Sequence, residues 1–331
     1  MREEKSDAMR LEWSDIVTEA DLERELMMVR SAAAGESAGI FGPNSVSWKL
    51  DREAAVFLGA GRALLLQLAH PWVAAAIAEH SRTLNDPIGR FQRTFNITLT
   101  MMFGSTAQAI AAARRLHRRH AGIHGTLTER TGPFAAGSCY RANDVAALRW
   151  VHATLVETAV IAHDLILPPL SGEERERYWV EARLFAGFFG IPQDALARNW
   201  AGFAADNEAI LRSPVLTAGA EARAITAAIL SGSGTWVPIP SWYRGLTARL
   251  LPERLREEFG LAYGAIEQRK TERALAVLRR LYPLLPRRLR HVGPYQEACA
   301  RLAGQMRPGI VTQLLNRIWM GQKSMTGEGE G

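Results

Sequence analysis

Gly59-Ala60-Gly61-Arg62-Ala63-Leu64-Leu65-Leu66-Gln67-Leu68-Ala69-His70-Pro71 decides how this chain is read. It lies in Ala54 to Ala78, the stretch that comes nearest to a membrane span. A spanning helix needs about 20 apolar residues, and charges at its centre are costly. This stretch carries Arg62, Gln67, His70 and Pro71, and Glu79 and His80 follow it. It therefore reads as a buried core helix that breaks or restarts at Pro71, where the ring removes a backbone donor. Gly59 and Gly61 permit close helix packing or close approach to a flat ligand. Arg62 must be paired if it is buried; otherwise it snorkels at a helix edge.

Outward from this stretch, helical periodicity dominates and no convincing period-2 strand is found. The pattern predicts helices over Ser14–Ala33, Arg52–Leu68, Pro71–Glu79, Pro87–Met102, Thr106–Ile123, Asp144–Leu165 and Gly172–Phe189. It continues with Gln193–Ser213, Ala220–Ser231, Ser241–Arg249, Ala265–Tyr282 and Pro294–Leu315. Ser105, Asn143-Asp144 and Ser171 supply start signals, and Gly104, Gly190 and Gly260 stand at expected ends. Gly35–Ser47, Glu129–Gly137 and Gly232–Pro240 read as loops, the second with room for a small hairpin ending at Tyr140. The polar, Gly-rich tail Gln322–Gly331 reads as disordered. The fold expected is all-α, a single large helical domain.

With 331 residues the chain can bury a sizeable core. Its 47% apolar and 22% charged content excludes a disordered chain, a collagen and a disulfide scaffold. Cys139 and Cys299 are the only cysteines and have no metal-type spacing, which suits a reducing compartment. Net charge is +6, and the basic side is almost all arginine. That matches either an anionic ligand held by guanidinium forks or codon bias. The first fifteen residues are charged and carry no signal-peptide pattern, so the expected location is cytoplasmic.

The densest local chemistry is Arg114-Arg115-Leu116-His117-Arg118-Arg119-His120-Ala121-Gly122-Ile123-His124-Gly125. The histidines fall at i, i+3 and i+7, one face of a helix. Such a stripe suits a metal or a haem iron, or it is a solvated basic face with incidental histidines. A zinc or di-iron helical site usually adds Asp or Glu, yet no acidic residue lies between Asp86 and Glu129. Iron in a porphyrin needs no carboxylate, only cations for the propionates. Arg62, Arg90, Arg93, Arg114, Arg115, Arg118 and Arg119 are available. His152, among apolar neighbours, reads as inward-facing.

P-loop, strand-led Gly-x-Gly-x-x-Gly, Gly-x-Ser-x-Gly and His-Glu-x-x-His motifs are absent. The basic clusters Arg114–Arg119 and Arg279–Arg290 have no recognition-helix context, so no nucleic acid is expected.

Several ordered segments together resemble the MpaB / rubber oxygenase (latex-clearing protein) catalytic-domain family, also catalogued as DUF2236. They are Gly61 to Pro71; Asp86-Pro87 with Arg90 and Thr94; Phe103-Gly104; His120-x-x-Ile123-x-Gly125; and Tyr140-x-Ala142-x-Asp144. Trp150 to Val156, Pro169-Leu170-Ser171 and Leu250 to Leu261 complete the set. The resemblance implies a catalytic domain over residues 41–304, with an N-terminal helical extension (1–40) and a C-terminal helix and tail (305–331). It implies a distantly globin-like core holding haem b, with His120 as the axial ligand to the iron. Arg90 and Thr94 take the family's distal Arg-x-x-x-Thr pair as catalytic residues. Arg62, Arg93, His124 and His152 are the further cofactor-binding candidates.

The implied function is a haem-dependent oxygenase using O2 on a small apolar substrate (alkene, isoprenoid-like or aromatic), in the resembling enzymes by cleaving a carbon–carbon double bond. Phe95, Leu99, Met102, Phe103 and Trp150 are candidate pocket walls. Three other readings stay open: a non-catalytic haem protein for sensing or storage, a haem-free helical binding protein, and a helical protein with a non-haem metal on His117, His120 and His124. The chain departs from the family at His124, where many relatives have arginine. No distal glutamate falls clearly in place, Glu79 being the nearest. Neither the secretion signal of exported rubber oxygenases nor the anchor of MpaB is visible, so the expected substrate is a diffusible molecule and no membrane span is expected.

Overall fold

The computed structural model describes residues 16–81, 86–232, 239–305 and 307–325. Most of the loop expected at Gly232–Pro240, the first fifteen residues and the end of the tail lie outside these. The described residues form sixteen α-helices and one small antiparallel sheet, so the all-α expectation holds. The helices are α1 (Glu19–Ser31), α2 (Val46–Asp51), α3 (Ala60–Leu68), α4 (Pro71–His80), α5 (Pro87–Phe103) and α6 (Thr106–Ala121). Then come α7 (Val145–Ile166), α8 (Gly172–Gly187), α9 (Trp200–Arg212), α10 (Ala220–Ser231) and α11 (Ser241–Arg249). The chain continues with α12 (Glu253–Glu258), α13 (Ala265–Leu281), α14 (Arg287–Arg290), α15 (Gly293–Leu302) and α16 (Ile310–Met320). Strands β1 (His124–Thr126) and β2 (Cys139–Arg141) pair with Gly125 opposite Tyr140, the hairpin for which the sequence left room.

Helix starts follow the capping chemistry. Ser105 accepts from the Gln108 N–H while Gln108 reaches back to Ser105, and Ser171 and Glu174 repeat the box. Asp144 accepts from the N–H groups of Ala146 and Ala147. Pro71 opens α4, and His70 before it is extended, as a residue preceding proline prefers to be.

Several predicted helices break. The stretch predicted over Arg52–Leu68 begins as a 3-10 turn at Ala54–Gly59. Its glycines serve packing: a Cβ on Gly59 would collide with Thr158, and one on Gly61 with Thr247. Pro294–Leu315 splits into α15 and α16 around Gly304, whose φ of +79° is left-handed. Gln193–Ser213 splits into a 3-10 turn and α9. The short α2 emerges just past the loop expected at Gly35–Ser47. The tail is not loose at its start: Met325 is buried and its N–H donates to Glu297.

Helix α7 is the centre of the core. By length and composition it could cross a membrane, but here most of it is covered by protein on all sides. The Trp150 indole N–H donates to the Leu66 carbonyl at 2.9 Å, tying α7 to α3. Arg62 on α3 is buried and fully paired. Its Nη2 meets Glu157 at 2.5 Å, its Nη1 meets Thr158, and its Nε donates to the Leu250 carbonyl.

Removing one partner of a buried ion pair costs about 3–5 kcal/mol. Because Glu157 keeps some solvent contact, Arg62→Met should fall near the low end, about 3 kcal/mol in urea unfolding. Adding Glu157→Gln should recover part of that loss.

Two core histidines make folding pH-dependent. His70, packed between Trp72 and Phe134, and His152, whose Nε2 meets the Ala182 carbonyl at 2.8 Å, are each pushed down to about 4 by burial. The unfolded value is about 6.5. The unfolded chain therefore takes up protons first. Their contribution is complete above about 6.5 and is lost as pH falls towards 4, by about 1.4 kcal/mol per pH unit for each ring. His152→Gln should lower the slope of unfolding free energy between pH 6 and 5 by about that amount.

Candidate functional site

Helices α5 and α6 are joined by Gly104 and Ser105, the cap of one followed directly by the cap of the other. Arg90 lies 14 residues before Gly104 and His120 lies 16 after it. At a rise of about 1.5 Å per residue both stand near the same end of the helical pair. Between them is a cavity of about 880 Å³, walled by α4, α5, α6 and α7. Trp72, Ile77, Ile97, Leu116, Leu148 and Phe189 make it largely apolar. Its polar lining includes Arg90, Arg93, Thr94, Arg119, His120 and Arg141, together with Asp86, His80 and Tyr140.

His120 is at the last turn of α6, where a helix dipole favours a charged imidazole. Burial outweighs that effect. Reinforced by Arg119 and His117, it pushes His120 down to about 4, against a side-chain hydrogen bond donated to Asn143 that favours the charged form. The ring is thus neutral at physiological pH, with a lone pair to offer. Asn143 is buried, and its Nδ2 donates to the His117 carbonyl, which leaves its carbonyl oxygen for the His120 N–H. Asn143 lines the outer groove and not the cavity, whereas His120 borders both. A hydrogen-bond partner of this kind is what fixes the tautomer of a metal-ligating histidine.

Arg90 is the second feature. Its guanidinium has no side-chain partner among the described residues. Burial, Arg119 and Arg93 lower it to about 10. Arg93 is held by Asp86 at 2.9 Å, and Asp86 also caps α5 through the Gly89 N–H. Thr94 donates its hydroxyl proton to the Arg90 carbonyl at 3.1 Å, so it turns acceptor lone pairs, not a donor, to the cavity. Several guanidiniums facing one carboxylate call for an anionic ligand.

The other expected site residues are elsewhere. Arg62 belongs to the ion pair with Glu157 and does not line the cavity. His152 is sealed between α7 and α8 on Phe185, outside the cavity. His124 is exposed on β1, because α6 ends at Ala121 and the i+7 spacing no longer describes a helix face. His117, His120 and His124 border an outer groove of about 740 Å³, but among the described residues no three His, Cys, Asp or Glu side chains converge to hold a metal. That removes the three-histidine metal reading. Glu79 accepts from the Tyr140 hydroxyl and does not line the cavity. Of the expected walls, Phe95, Leu99 and Met102 line a smaller adjoining cavity, while Phe103 and Trp150 are packed in the core.

Asn143 was legible in the sequence only as a helix-start residue, and Arg141 and Phe189 carried no signal of their own.

Among curated proteins and among solved structures nothing matches the chain. The family described as "ER-bound oxygenase mpaB/B'/Rubber oxygenase, catalytic domain" matches residues 48–282, a span that contains α5, α6, the hairpin and His120. The chain belongs to this family of oxygenase catalytic domains.

Proposed function

We propose that the chain is a haem b-dependent oxygenase whose cofactor is held by His120 and whose substrate is small and apolar. The observation that carries this is His120, kept neutral by burial, partnered by Asn143 and lining a large, mostly apolar cavity. A cavity of about 880 Å³ lies within the range of about 300–1,000 Å³ common for cofactor sites. Arg119 and Arg141 suit the two carboxylates of a porphyrin, and the apolar walls suit its ring.

Haem, when bound, supplies dioxygen chemistry that amino-acid side chains cannot perform. The chain's own contribution is to orient and to polarise. Asn143 fixes which His120 nitrogen carries the proton and makes the other a better donor. Arg90 places a fixed positive donor in a poorly hydrated site, where it stabilises negative charge developing on oxygen. Thr94, its own proton committed to Arg90, accepts a hydrogen bond and fixes the backbone turn that carries Arg90. The apolar walls exclude water and align a hydrophobic substrate.

Protein expressed with ample haem supply should show a Soret band. His120→Ala should lose or shift it while keeping its helical circular dichroism. A folded parent that stays colourless after haem addition would remove the reading. Asn143→Leu should keep part of the band and weaken haem retention by about 10–100-fold, as removal of outer partners of metal-ligating histidines does. Arg90→Leu should retain the band yet lower turnover by about 100-fold or more, measured as O2 uptake on the best alkene or aromatic of a substrate screen.

A further inference from the structure

A second cavity, of about 140 Å³, adjoins the first and shares Thr94, Thr98 and Leu155 with it. Phe57, Phe95, Leu99, Met102, Val156 and Phe185 make it mostly apolar. Polar groups enter from the side of α2 and α8: Ser47 and Asp51, one turn apart on α2, and Tyr178 on α8. A void of about 150 Å³ accommodates benzene, so this chamber takes one ring-sized apolar group.

Asp51 is the anomaly. Its carboxyl has no hydrogen-bond or ion-pair partner among the described residues, and neither has the Tyr178 hydroxyl. The charge that acts on it is another carboxylate, Glu181, whose oxygens are engaged by the N–H groups of Val46 at 3.1 Å and Ser47 at 2.6 Å. Burial, with Glu181 adding to it, raises Asp51 to about 7. Leaving a carboxyl without a partner in an apolar chamber is costly. A donor brought by a ligand removes that cost.

We propose that this chamber docks the substrate's apolar group and that Asp51, beside Tyr178, accepts a hydrogen bond from a hydroxyl on it. The ligand class is a benzene-sized apolar group carrying one hydroxyl, a phenol being the simplest member. Calling the ligand a substrate rests on the oxygenase reading above; the binding itself does not. Docked there, the ligand borders Thr94, Thr98 and Leu155, the residues common to both cavities. Asp51 is a specificity-determining residue in this arrangement, and the reacting end of the molecule lies towards the larger cavity.

The test is a fluorine NMR titration of the protein as purified with 4-fluorophenol and with fluorobenzene. At pH 8.5, where a carboxyl raised to about 7 is ionised, the parent should bind the phenol about tenfold more tightly, the usual return from a hydrogen bond to a charged group. Asp51→Asn should reduce that ratio, and Asp51→Leu should bring it to about one while fluorobenzene still binds. Ala60→Phe, which fills the chamber, should abolish binding of both. Each variant is checked by circular dichroism and thermal unfolding. Asp51→Leu should melt at a higher temperature than the parent, the opposite of what loss of a structural contact gives. Equal affinities in the parent, a phenol preference that survives Asp51→Leu, or binding that survives Ala60→Phe would each overturn the proposal. The haem reading is judged separately by the Soret band, so a coloured protein without phenol discrimination overturns only the role of Asp51.

Discussion

The turn at Gly104 and Ser105 sets everything near the cavity. It reverses the chain between two helices of similar length, 17 residues in α5 and 16 in α6, with a cap on each side of the reversal. Equal lengths bring the start of α5 beside the end of α6. Asp86, Arg90 and Arg93 therefore meet Arg119 and His120, although about 30 residues separate them in the chain. One extra turn in either helix would slide one set past the other by about 5.4 Å and separate the imidazole from the guanidiniums.

Electrostatics then follows from an absence in composition. From Pro87 to Thr128 there is no acidic residue. The helical pair can bring arginines to its end but no carboxylate of its own beyond Asp86, which is occupied with Arg93 and the α5 cap. The cationic side chains must either repel one another, as Arg90 and Arg119 do, or meet an anion from outside. Positive surroundings and burial also keep His120 neutral. The same imbalance that favours an anionic ligand therefore leaves the imidazole free to bind a metal centre.

Around this end the fold separates polar tasks from packing tasks. Arg62, which the sequence made a candidate for the ligand, instead joins α3 to α7 and to the chain after α11. His152 joins α7 to α8 through the Ala182 carbonyl. Gly59 and Gly61 let α3 and the turn before it lie close on α7 and α11. These residues look functional because they are polar or small within apolar helices. Their partners, Glu157, Ala182, Thr158 and Thr247, are distant in sequence, and only the fold shows that the needs of the one are met by the other.

What the sequence determined by itself was local. Period, caps and prolines placed most helices, because a helix is built from contacts three and four residues apart. The break at Pro71 and the starts at Ser105, Asp144 and Ser171 were legible for that reason. The ordered motifs named the family and, through it, His120, Arg90, Arg93 and Thr94, all of which line one cavity. What the tertiary structure decided was which polar groups are already partnered. The apparent histidine stripe ended at Ala121, Asn143 proved to be the partner of His120, and Thr94 gave its proton to its own helix. Asp51 became conspicuous only once α2, α7 and α8 walled a chamber in which it has no hydrogen-bond partner among the described residues. Satisfaction of a buried polar group depends on what long-range packing brings against it, and no short-range pattern encodes that.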